Sequence, residues 1–176
     1  CMPGPDPQHL YAASARSITR GEVIPMCEFR GQVLFIANTA ANCGFTPQYE
    51  QLQAMNDRFG GPDLKVLGFL TNDFGNQGGT LDEIEQCTDD YMVTFEQFAH
   101  VGVQSRSRQG QHPIFRWLTT QEGFEGDVPW NFSKFLVSHR GRLLGRWDQG
   151  IAPDAPEVIR AIESALSDAA LRGPGE

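Results

Sequence analysis

From Val33 the chain reads VLFIANTA, apolar at successive positions and β-branched or aromatic at its start, as a strand buried on both faces would be. LKVLGFLTN, from Leu64 to Asn72, repeats the pattern. Between them the period changes. In TPQYEQLQAMNDRFGG, Tyr49, Leu52 and Met55 fall on one helical face, Thr46 is an N-cap candidate, Pro47 takes the first helical position, and Gly60 and Gly61 end the element. Strand, helix and strand form a βαβ unit, which predicts two parallel neighbours. Upstream, short strand-like pieces flank a turn at Arg20 and Gly21. Downstream, TLDEIEQCTDDYM opens with a capping box at Thr80 and Glu83 and sets Ile84, Cys87 and Tyr91 on one face. HPIFRWLTTQ predicts a short helix, and NFSKFLVSHRGRLLGRWD two strands around a turn at Arg140 and Gly141. APEVIRAIESALSDAALR closes the pattern as an amphipathic helix with Val158, Ile159, Ile162, Ala165 and Leu166 in its apolar stripe. The class is therefore α/β: a central mixed sheet, parallel first and antiparallel last, flanked by helices.

A length of 176 residues with 40% hydrophobic positions suits one core. The expected domain is 8–172, after a segment, 1–7, too poor in apolar residues to order itself, and before a tail, 173–176. A formal charge of −8 excludes a polyanionic partner such as nucleic acid, which demands clustered cations. QSRSRQGQ, at 104–111, is the small basic cluster, and it reads as a solvated loop. No apolar run reaches the roughly 18 residues of a membrane-spanning helix. The four cysteines, Cys1, Cys27, Cys43 and Cys87, are widely spaced without a CxxC pair, and His9, His100, His112 and His139 stand singly, so neither a metal site nor a cofactor is expected. A cytoplasmic location is expected. The alternative, raised by Cys1, is an exported bacterial lipoprotein anchored at that residue.

Cys43 occupies the junction of the first buried strand and its helix. A sulfur there would lie near the unsatisfied N–H groups of the helix, which stabilise a thiolate, and active groups of open α/β sheets gather at the carboxyl ends of strands. The glycine-rich loop DFGNQGG follows the second strand and reaches the same rim.

Three blocks in this order, NTAANCGFTPQYEQL, GFLTNDFGNQGGTLDEI and WNFSKFLV, resemble the signature blocks of the glutathione peroxidase family. The resemblance implies a thioredoxin-like fold and a site of Cys43, Gln77, Trp130 and Asn131. A thiolate at Cys43 would attack a peroxide O–O bond, with neutral N–H donors on the amides and the indole holding the sulfur anion and the departing oxygen. Phe45 and Phe132 would wall the site. Cys87 lies in IEQCTDDYMVTF, similar to the block that carries the resolving cysteine in thioredoxin-dependent, non-selenium members. The implied activity is reduction of hydrogen peroxide and organic hydroperoxides, with a thioredoxin-like protein or glutathione as reductant. The chain departs from the family pattern at Leu70, Thr71 and Asp73, the last of which would add negative charge near the thiolate. A short segment before PWNF resembles members without a tetramer loop and implies a monomer or small oligomer. Cys27 falls outside the blocks and reads as structural. Two other readings share the fold: a thiol-disulfide oxidoreductase, disfavoured by threonine in CGFT where a second cysteine would stand, and a redox-sensing domain, which would not require Gln77, Trp130 and Asn131.

Overall fold

A hairpin of β1 (Ser14–Arg16) and β2 (Val23–Pro25) turns through Gly21, whose φ of 71° suits a residue without Cβ. This computed structural model describes residues 1, 2 and 4–171. The main sheet holds β3 (Val33–Thr39), β4 (Leu64–Leu70), β5 (Glu96–Phe98), β6 (Lys134–Val137) and β7 (Leu143–Trp147) in the order β5-β4-β3-β6-β7. Every residue of β3 is buried, which is why its sequence shows no alternation. β3 and β4 run parallel from Val33 opposite Leu64 to Thr39 opposite Leu70, as the βαβ pattern predicts. β5 continues the parallel half, whereas β6 and β7 are antiparallel. β5 has three residues, too few to show a period, and the sequence reading does not find it.

The two sheet faces bury different partners. On one, Leu34, Ile36, Leu67 and Phe69 pack with Phe98, Phe135 and the short helix α3 (Pro113–Leu118), together with Leu10, Ile24 and Met26. On the other, Val33, Phe35, Val66 and Leu136 meet Tyr49, Leu52 and Met55. Those three belong to α1 (Gln48–Phe59), and the same face takes Val158 and Ile162 of α4 (Pro156–Ala170). α2 (Leu81–Asp90) begins at Thr80, and the capping box with Glu83 forms as expected. Gly141 turns the β6–β7 hairpin with φ 77°.

Thr46 does not cap α1. The N-cap is Pro47, and the Thr46 hydroxyl instead accepts from Cys43 N–H and donates to the Ala40 carbonyl, a shape imposed by the loop that must leave β3 before a helix can start. Near the N-terminus, Cys1 and Cys27 are joined by a disulfide with Cα atoms 5.8 Å apart. The expected tail, 173–176, lies outside the described residues. Among the described residues no helix is long and apolar enough to cross a membrane.

Candidate active site

The site is built from three loops at the C-terminal ends of β3 and β4 and at the start of β6. In the first, Cys43 is a free, half-buried thiol. The hydrogen bond on its sulfur comes from Phe45 N–H, at 3.4 Å. This corrects the expected role of the helix end. α1 starts five residues beyond Cys43, and the amides of Gln48, Tyr49 and Glu50 are engaged by the carbonyls of Phe45, Thr46 and Pro47. A loop amide rather than a helix terminus is the donor available to the thiolate. Gln48 also fixes the base of this loop: its Oε1 accepts from Lys134 Nζ at 3.1 Å and its Nε2 donates to the Gln149 carbonyl at 2.7 Å. Lys134 is fully buried and donates as well to the Asp148 carbonyl at 2.7 Å. Burial pulls its ammonium down to about 8, against the opposing pull of Asp148.

The second loop follows β4. Asn42 N–H donates to the Gln77 carbonyl at 2.9 Å, and Ala41 N–H to that of Gly78 at 3.3 Å, so Gln77 is tied by backbone to the residues just before Cys43. Asn72 Oδ1 accepts from Gly78 N–H at 3.0 Å. A Cβ on Gly78 would lie 2.6 Å from both Asn72 Oδ1 and the His100 ring, which explains the glycine there. Asn76 holds φ 61°, a left-handed conformation that asparagine tolerates better than most residues and that turns the chain immediately before Gln77. Asp73 does not direct its charge at the sulfur. Its carboxylate accepts from Val103 N–H at 2.7 Å, Gln104 N–H at 3.0 Å and Ser107 Oγ at 2.6 Å, which binds it to a separate arch and corrects the expectation from its sequence position.

The third loop carries Trp130 and Asn131. Asn131 is fully buried, and its Nδ2 donates to Gln77 Oε1 at 2.9 Å. With its oxygen engaged, the Gln77 amide is left to point its N–H group at an incoming oxygen or sulfur. Trp130 is 37% exposed, and its ring tilts against that of Phe74 with centroids 5.2 Å apart. The fold thus joins Gln77 to Asn131 directly, sets Trp130 beside them and links the group to the Cys43 loop through backbone. None of these three side chains hydrogen-bonds Sγ in this state. Phe45 is 36% exposed and can wall the site, but Phe132 cannot: it is fully buried, edge-on to Tyr49 with centroids 5.5 Å apart, and so belongs to the core.

The residue that sequence reading misses is Asn38. Buried in β3, it donates from Nδ2 to the Trp130 carbonyl at 3.0 Å and accepts at Oδ1 from Ser133 N–H at 3.1 Å, while its backbone carbonyl accepts from Phe132 N–H at 2.7 Å. This clamp holds Phe132 at φ 62°, a strained value for an aromatic residue, and thereby aims the side chain of Asn131. The available signal was an amide that follows five apolar residues, Val33 to Ala37, in a buried strand, where an unpaired polar group is costly. Replacing Asn38 by leucine leaves the Ser133 N–H unpaired and the Trp130 carbonyl with the Ser133 hydroxyl as its remaining donor, at 3.1 Å. The expected cost is about 1–3 kcal/mol in urea unfolding, and a variant as stable as the parent would remove the clamp.

Cys87 is buried on the inner face of α2 and is free, like Cys43. Burial first, and the Asp90 carboxylate second, push its thiol up to about 11. A cleft of about 410 Å³ lies between the Cys43 loop, through Ala41, Asn42 and Thr46, and α2, through Glu83, Cys87 and Asp90. At pH 8 only about one Cys87 in a thousand is thiolate, so alkylation there is expected to be about 100-fold slower than for an ordinary thiol and to rise about tenfold per pH unit up to about pH 11. Mass spectrometry after timed alkylation checks this, and equal labelling of Cys43 and Cys87 at pH 8 would count against the buried placement.

Known proteins are similar to this chain over most of its length. The sequence model of the glutathione peroxidase family matches residues 10–119. A hydroperoxy fatty acid reductase of Synechocystis is 39% identical over 167 residues, covering 89% of this chain and 95% of the relative. A thioredoxin/glutathione peroxidase of Escherichia coli is 34% identical over 171 residues, covering 84% and 92%. The crystal structure titled Trgpx in apo form superposes with a TM-score of 0.67 at 26% identity, covering 90% of this chain and 96% of that one. On this likeness along most of its length, and with the three motif loops assembled around one thiol, the chain belongs to the glutathione peroxidase family.

Proposed function

We propose that the chain is a thiol peroxidase that reduces hydrogen peroxide and organic hydroperoxides at Cys43. The carrying observation is the convergence on one rim of a free, half-buried thiol with an N–H donor on its sulfur and the linked amide pair Gln77–Asn131. The Cys43 thiolate attacks one peroxide oxygen, the O–O bond breaks with its electron pair leaving on the other oxygen, and that oxygen takes the proton given up by the thiol. The products are a sulfenic acid and water or an alcohol. Gln77, Trp130 and Asn131 offer N–H groups to the charge that develops on the departing oxygen, without a competing base.

The return to thiol goes through Cys87. Its sulfur displaces the sulfenic hydroxyl as water and forms a Cys43–Cys87 disulfide, which the dithiol of a thioredoxin-like protein reduces by exchange. The names of the relatives, a thioredoxin/glutathione peroxidase and a hydroperoxy fatty acid reductase, support this reductant and this substrate range. We favour thioredoxin over glutathione, and a monomer or small oligomer. A thiol-disulfide oxidoreductase is the weaker reading: Thr46, where a CxxC partner would stand, has its hydroxyl engaged by Cys43 N–H and the Ala40 carbonyl.

Peroxide consumption with thioredoxin and, separately, glutathione tests the reading, together with dimedone trapping after a single equivalent of peroxide. The expected results are faster turnover with thioredoxin and a dimedone adduct on Cys43. A chain that consumes no peroxide with either reductant, or carries the adduct elsewhere, would overturn it.

A further inference from the structure

The basic stretch QSRSRQGQ, which reads as a solvated loop in the sequence, lines a cavity of about 590 Å³ beside the catalytic loop. Two observations make this cavity a built feature. Asp73 fixes its frame, since all three of its contacts, to Val103 N–H, Gln104 N–H and Ser107 Oγ, hold the arch against the Gln77 loop. Asp73 is also the acidic group of the lining, and those three hydrogen bonds occupy its carboxylate. Arg106 and Arg108 line the cavity without an ion-pair partner among the described residues, and the amides of Asn76 and Gln109 lie on the same wall. On a chain of net charge −8 this is a local cationic recess.

We infer that this recess binds the carboxylate of an acidic organic hydroperoxide, above all a free fatty-acid hydroperoxide, and holds its peroxide group toward Cys43. The inference rests on the peroxidase reading and extends it to substrate class. A cavity of this size admits the end of a small molecule, whereas a protein partner would meet a flatter surface. Guanidinium groups pair with a carboxylate through parallel N–H bonds. The loop that forms one wall, from Asn72, ends at Gln77, so five residues separate wall and catalytic amide by at most about 18 Å. The hydrocarbon between carboxylate and hydroperoxide has apolar company on that rim in the exposed faces of Trp130, tilted against Phe74, and Phe45.

The test is kcat/KM, with thioredoxin as reductant, for linoleic acid hydroperoxide and for its methyl ester, on the parent, R106Q/R108Q and R106E/R108E. The parent is expected to prefer the acid by about tenfold, the size of one charge-assisted contact at a partly exposed site. The preference should fall to about one in R106Q/R108Q and below one in R106E/R108E, with KM carrying the change. A parent ratio near one, or a preference kept in both variants, overturns the inference. So does a rise in KM for glutathione with the acid-to-ester ratio intact, since the carboxylate would then be that of the reductant. Hydrogen peroxide separates the two levels: a parent that reduces it but does not discriminate acid from ester overturns only this subsite, whereas a parent that reduces no peroxide overturns the peroxidase reading itself.

Discussion

Replacing Cys43 by serine is expected to lower thioredoxin-driven peroxide turnover by about 10³-fold or more while leaving the fold intact. The loss follows from the nucleophile. A serine hydroxyl stays protonated at neutral pH and has no general base among its hydrogen-bond partners, which are Phe45 N–H at the side chain and Thr46 around the backbone. The fold should hold because the substitution is nearly isosteric and the loop is shaped by the Thr46 hydroxyl, which bridges Cys43 N–H and the Ala40 carbonyl whatever atom stands at Sγ. Circular dichroism and urea unfolding should match the parent. Turnover in Cys43→Ser above a few per cent of the parent rate would eliminate Cys43 as the attacking group.

Replacing Cys87 by serine has the second largest expected effect, and of a different kind. Steady-state turnover with thioredoxin should fall by about 100-fold, whereas a single equivalent of peroxide per chain should still be reduced at the parent rate, because oxidation of Cys43 does not involve Cys87. The asymmetry comes from the reduced structure. Cys87 is buried and held protonated, and the cleft of about 410 Å³ lies between its helix and the Cys43 loop. A disulfide requires Cα atoms roughly 4.4–6.8 Å apart, and an opening of α2 is the expected way for the buried Cys87 to reach Cys43. That helix is suited to opening: it buries Ile84 and Cys87 alone among its ten residues and leaves Leu81 74% exposed. Stopped-flow measurement of the burst separates the steps. Full thioredoxin-driven turnover in Cys87→Ser would refute the resolving role, and loss of the burst itself would show that Cys87 supports oxidation instead.

Both outcomes depend on features of unequal visibility in the chain. β3 and β4 were legible because burial on both faces leaves a continuous apolar signature, and α1 because Tyr49, Leu52 and Met55 fix its inward face. The capping box of α2 was legible because it is a contact three residues long. β5 was not, since three residues show no period and its identity as a strand comes from hydrogen bonds to β4. Cys43 stood out from its place at the junction of strand and helix, whereas Gln77, Trp130 and Asn131 came from motif resemblance, and their separations of tens of residues held no statement about contact. Where physical reasoning from position alone was used, it erred at identifiable places. The donor to Sγ is Phe45 N–H because the loop after β3 delays α1, Asp73 faces the 103–107 arch, and Phe132 enters the core because Asn38 turns the backbone beneath it.

By itself the sequence determined the α/β class, the order of the longer elements and the chemical groups available, because periodicity, capping and side-chain chemistry are local properties of the chain. The tertiary structure decided which of those groups meet: the Gln77–Asn131 pair, the Asn38 clamp, the confinement of Cys87 and the assembly of Arg106 and Arg108 into a recess. These depend on sheet register and loop closure, which bring together residues between 30 and 95 positions apart along the chain. Such contacts are set by the packing of the whole core, so no window of sequence contains them.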